Sequence, residues 1–160
     1  MKHATLATLS TVILFASATS TSCAAPLALT PVQQVNFGNV IFTLGTCQMD
    51  VNTGAISNVM GGSCLDGAGQ NGRFQITADP ARTLSVTLRE FDSSQFTYAP
   101  TGELNNGVTT VPINSGLPSF INTNLGTVDL EVGGRLTIKQ SLLPNTTYSL
   151  DYDVVFELTF

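Results

Sequence analysis

The last thirteen residues of the chain alternate almost without interruption. Tyr148, Leu150, Tyr152, Val154, Phe156, Leu158 and Phe160 are apolar or aromatic, and polar residues separate them everywhere except at Val155. Side chains leave the two faces of a strand in turn, so period two over this length predicts a half-buried β-strand. The even positions are expected to face a core and the odd positions water. A core strand in this place suits a β-sandwich whose edge is completed by something else.

The preceding sequence reads the same way. Val35, Phe37, Val40 and Phe42 open the domain around Gly38. Segments 46–51 and 55–60 flank Asn52-Thr53-Gly54, a hairpin turn. Phe74, Ile76 and Ala78 alternate with polar neighbours, as do Leu84, Val86 and Leu88. Segments 108–113, 128–132 and 136–138 follow, with Gly133-Gly134 read as a hairpin between the last two and Pro144-Asn145 as the turn into the final strand. Nothing in 30–160 sustains apolar spacing at the helical period. Some eight short strands with Gly, Pro and Asn turns predict an all-β, antiparallel sandwich, a closed barrel being the structural alternative.

The start of the chain has a different character. Lys2 precedes an apolar run over 6–18, and Ser22-Cys23-Ala24 offers small residues at a cleavage site. That pattern predicts a cleaved signal peptide over 1–24 and export from the cytoplasm. The apolar run is too short for a membrane span. Ser20 stands where a lipobox has a large aliphatic residue, so a lipid anchor on Cys23 is not expected. The organisation read from this is a signal peptide over 1–24, an N-terminal extension or first strand over 25–34, and one β-sandwich domain over 35–160.

Removing 1–24 takes Lys2 from the six Lys and Arg and leaves five against eleven Asp and Glu, a net charge of −6. No basic patch remains, so nucleic acid and anionic membrane surfaces are not expected as partners. The one histidine, His3, lies in the leader. Ser-His-Asp and Cys-His catalysis therefore have no base, and no enzymatic activity is expected. The carboxylate pairs Glu90/Asp92 and Asp129/Glu131 are read as solvated sheet faces. Asp50 to Gly54 begins like a calcium loop, but Ala55 and Gly61 occupy the positions that need glycine and an acid. Cys47 and Cys64 are the cysteines that survive leader removal, and in an oxidising compartment their default is a disulfide. No metal or other cofactor is expected.

The order Asn36–Val40 (NFGNV), Gly72–Leu88 (GRFQITADPARTLSVTL), Val128–Ile138 (VDLEVGGRLTI) and Pro144–Phe160 (PNTTYSLDYDVVFELTF) resembles a family of secreted bacterial domains of unknown function that look like fimbrial subunits. Ala78-Asp79-Pro80, and Ser149 and Asp151, replace glycines common in that family. The resemblance implies an immunoglobulin-like or pilin-like sandwich. It also implies a structural role at the cell surface, with self-association by strand exchange after escort by a periplasmic chaperone. The donor would be an N-terminal segment with alternating apolar side chains, and Leu27, Leu29, Val35 and Phe37 share one phase. The same residues also suit an ordinary first strand paired within its own domain. The alternative function is a self-contained secreted binding module for carbohydrate or a surface protein, for which Phe91, Phe96 and Tyr98 are the exposed-aromatic candidates.

Overall fold

The structure, a computed structural model, describes residues 26–38, 43–62, 64, 69–143, 146, 148 and 152–159. Eleven strands run in the order β1 (Ala28–Gln33), β2 (Gly45–Met49), β3 (Ile56–Met60), β4 (Gly72–Thr77), β5 (Thr83–Leu88), β6 (Phe91–Asp92), β7 (Phe96–Asn105), β8 (Thr110–Ile113), β9 (Ser119–Asn122), β10 (Thr127–Ile138) and β11 (Val154–Thr159). All the pairings are antiparallel, and the strands form two sheets. The chain is all-β and sandwich-like. No helix among the described residues is long and apolar enough to cross a membrane.

β10 organises the larger sheet. One of its edges pairs with β7 along 129–138. Its other edge pairs with β4 along 127–132 and then with β2 along 134–138. The change of partner falls at Gly133-Gly134, so the expected hairpin there is absent and one strand runs through. The glycines serve close approach instead. A Cβ on Gly133 would stand 2.8 Å from the Met49 carbonyl oxygen, and one on Gly134 would stand 2.5 Å from that of Ala99. Neighbouring backbones leave no room for a side chain at either position. β1 extends the sheet beyond β4, β3 beyond β2, and β6 and β8 flank β7.

The smaller sheet, β11-β5-β9, covers the half of the large sheet built from β1, β4, β8 and the first part of β10. Ile76, Leu104, Ile113, Val128, Leu130 and Val132 from below meet Leu84, Val86, Leu88 and Ile121 from above. Among the described residues, no second sheet covers the other half of β7 and β10. Phe37, Cys64 and Leu142, together with Tyr148 and Tyr152, pack there on Met49, Ile56, Phe96, Tyr98, Leu136 and Ile138. Cys47 on β2 and Cys64 beyond β3 form a disulfide, with Cα atoms 6.0 Å apart. The Asn58 side chain clamps the Cys64 backbone from both sides, at 2.7 and 2.9 Å.

Several expectations shift. The first strand is Ala28–Gln33, not a strand through Val35 and Phe37. The Asn36 side chain accepts the amide of Gly38, whose φ is +66°, and that local turn ends extended pairing after a single bridge to Gln70. Val40 and Phe42 lie outside the described residues. The final strand begins at Val154, with Tyr148 and Tyr152 ahead of it as packing aromatics. Leu150 and Phe160, like the signal peptide expected over 1–24, lie outside the described residues.

Candidate functional site

β1 is one outer strand of the large sheet and β11 one outer strand of the small one. β9, at the far side of the small sheet, lies against β8, so β1 and β11 border the opposite flank. Among the described residues no strand joins them there. Leu29 on β1 and Leu27 just before it enter the core from one side, and Val154, Phe156 and Leu158 enter it from β11. All five are half-buried, and every residue of β1 is exposed or half-buried. Along β11 the odd residues Val155 and Glu157 are exposed, whereas Thr159 is half-buried. An apolar strip therefore reaches water between two strand edges.

The two edges differ. Pro31 lies in β1 and brings no N–H, and the β1–β4 register shifts between Pro31 and Gln33. Both features blunt an edge against further pairing. β11 pairs with β5 without a register shift, contains no proline, and carries the exposed β-branched Val155. Glu157 is its one charge.

The residues read from the sequence as a donor segment are thus placed in their own domain. Leu29 stands opposite Ile76, Leu27 packs on the same core, Val35 is half-buried between the two core clusters, and Phe37 is fully buried. Behind the flank lies an aromatic cluster. The Tyr152 ring meets Phe74 at 6.4 Å and Tyr98 at 5.5 Å, and Tyr98 meets Phe37 at 5.7 Å, all edge to face. The Tyr98 hydroxyl donates to the Gly133 carbonyl at 2.6 Å, whereas the buried Tyr152 hydroxyl has no partner among the described residues. Burial pushes both phenols well above the usual range, and for Tyr98 the neighbouring Tyr152 adds to it. Phe96 and Tyr98 are core residues, so the loop-edge aromatic surface expected of Phe91, Phe96 and Tyr98 is not formed.

The acidic pairs hold the sheet face. Glu131 pairs with Arg73 at 3.4 Å and stands opposite Glu103 in the β7–β10 ladder. With its amide nitrogen turned towards them, Asn52 reaches both carboxylates, at 3.3 and 3.2 Å. Asp92 contacts Lys139 and accepts the Thr97 hydroxyl, and these bonds, Lys139 first, hold its carboxyl below the usual range. Asp50 closes the β2–β3 turn by accepting from Asn52 N, Thr53 N and Thr53 Oγ1. The Thr53 hydroxyl is the main reason its carboxyl is lowered.

At one end of the sandwich three loops meet. Asn106 donates to the Asn122 carbonyl, and Thr123 fastens 79–82 through bonds to Asp79 and Arg82. The depression between them carries Val108 and Leu125, which are 83% and 90% exposed. Ala81 and Asn124, the two non-glycine residues with positive φ among those described, line it as well. No pattern in the sequence points to this cluster, because its members come from three separate turns.

A family model for a domain of unknown function, DUF4402, matches residues 27–157. The chain belongs to the DUF4402 family. Neither the curated proteins nor the solved structures include a match. The DUF4402 match covers β1 through most of β11, so both edges of the open flank lie within the family's domain.

Proposed function

We propose that this DUF4402 chain is a secreted, pilin-like structural subunit that self-associates at the cell surface by exchanging a β-strand. The open flank between β1 and β11 carries this reading. Five apolar side chains reach its surface, and the β11 edge offers unpaired backbone groups beside them. A sandwich left open in this way gains stability when a strand supplied by another molecule covers the strip. The sandwich-like layout of two antiparallel sheets fits the same role, and an extended segment of a periplasmic chaperone would cover the flank before assembly. The sparse charge of the chain, 11% of residues, suits a surface that packs into a polymer.

Sedimentation and electron microscopy of the exported protein test this. Concentration-dependent oligomers or fibres are expected. Leu27→Asp with Leu29→Asp should reduce them, because a charge enters an apolar seat only at large cost. A heat-stable monomer at every concentration, indifferent to an added peptide of residues 25–34, would refute it. The loop-end depression favours a second reading, a binding module for a surface partner. Val108→Asp with Leu125→Asp would then abolish adhesion and leave assembly unchanged.

A further inference from the structure

We infer that two copies of this chain close their open flanks against each other, β11 pairing antiparallel with β11 about a twofold axis. The inference goes beyond the strand-exchange reading: it uses the same flank, but no strand leaves its own domain. β11 is the flank strand whose edge suits it. Its ladder to β5 runs from Val154 to Thr159 without a shift, it carries no proline, and its outer backbone groups have no strand beside them among the described residues. Pairing there joins the β11-β5-β9 sheets of two copies into one. A twofold axis through that sheet keeps the inner faces of both copies on one side, so the two open flanks meet. Val154, Phe156 and Leu158 of both copies then share one face, and Leu27 and Leu29 of each copy line the seam from the large sheets. The apolar strip of one copy covers that of the other, as a self-complementary interface requires.

Charge selects the register. Residues directly opposite in an antiparallel pair project to the same face, so the axis must pass through a residue of β11. Two such registers use the strand at its greatest length. An axis at Glu157 sets the two Glu157 carboxylates against each other, a like-charge pair that works against association. An axis at Phe156 sets the two Phe156 rings side by side, Val154 against the second copy's Leu158, and Val155 against the second copy's Glu157. Asp153, just before the strand, then stands opposite the second copy's Thr159. No acid of this stretch faces an acid. Glu157 is the one charge of β11 and β1 has none, so the flank carries little of the charge that holds other surfaces of this acidic chain apart.

Val155 and Glu157 supply the test, since both side chains are exposed and neither is in the core. Sedimentation equilibrium of the full-length exported protein should show a dimer that dissociates on dilution. Val155→Glu places a carboxylate opposite Glu157 twice in each dimer and should raise the dissociation constant by roughly tenfold, whereas Val155→Lys should leave it unchanged or lower it. Adding Glu157→Lys to Val155→Glu should restore the original value. With the axis at Glu157, position 155 would face Thr159 and the sign of its charge would not matter. In a second experiment Val155→Cys protein is mixed with Glu157→Cys protein and oxidised. Disulfide-linked heterodimers are expected, because the β11 pairing sets these two positions directly opposite. Self-association that ignores the sign of the charge at position 155, or that yields no linked heterodimers, would overturn the β11 pairing and leave self-association standing. A monomer at every concentration would overturn both.

Discussion

Tyr98 and Tyr152 bring the same hydroxyl into the same aromatic cluster, but only Tyr98 uses it. Tyr98→Phe strands the buried Gly133 carbonyl and should cost about 1–3 kcal/mol, read as a lower midpoint in urea. Tyr152→Phe removes a hydroxyl that has no partner among the described residues and should be neutral or mildly stabilising. Burial favours the neutral form of both phenols, so their folded pKa values lie above the ordinary 10.0. The stability they contribute is complete below pH 10.0 and declines above it, where the unfolded phenols ionise first. In Tyr152→Phe that alkaline decline should be shallower, which a series of melts above and below that pH would measure. At the acid end the sign reverses. The lowered carboxyls of Asp50 and Asp92 stabilise the fold above their ordinary 3.8 and lose that contribution as pH falls further.

Among the strands, β10 tolerates least at Gly134 and β11 tolerates most at its outer face. Gly134→Ala would place a Cβ 2.5 Å from the Ala99 carbonyl oxygen and should cost more than about 2 kcal/mol, visible as reduced folded yield. Phe156→Ala on β11 should cost about 1.5–2.5 kcal/mol, roughly half the full core value, because its ring is half-buried. Val155→Lys should change stability by less than about 0.5 kcal/mol.

These elements were unequally legible in the sequence. The all-β class followed from period-two patterning, and the Cys47–Cys64 disulfide from pairing the cysteines that fall outside the expected signal peptide. Gly133-Gly134 looked like a turn because paired glycines are a local turn signal, whereas their cause is the approach of β2 and β7 from distant sequence. β7 was hidden for a related reason. Its buried positions include Pro100 and Gly102, which carry no hydrophobic signal, and Ser93 to Gln95 made Phe96 and Tyr98 look like loop aromatics. The final strand pointed to an edge completed by something else, but not to the strands that border it, since that depends on which strands end up outermost.

For the molecule as a whole, the disulfide stitches the half that has no second sheet. Replacing Cys47 and Cys64 by alanine should cost roughly 3 kcal/mol on the chain-entropy model and lower the melting temperature by roughly 10 °C, as calorimetry would show. The loss should fall mainly on the cluster around Met49, Phe96 and Leu136, which hydrogen exchange would localise. The flank at β1 and β11 should exchange as it did before.

The central place of β10 also sets a timetable. β2, β4 and β7 each complete their pairing only against a strand that begins at Thr127. As the chain emerges from a ribosome or a translocation pore, more than a hundred residues precede that partner. Until it arrives, three strands wait with apolar faces and open edges, the condition in which chains stick to one another. Their separation in sequence makes this a high-contact-order domain, expected to fold in milliseconds to seconds rather than microseconds. Truncation before Thr127 should therefore give a chain that shows no cooperative unfolding and is captured by holdase chaperones, whereas the same chain extended through Ile138 should acquire protected amides in β2, β4 and β7 together.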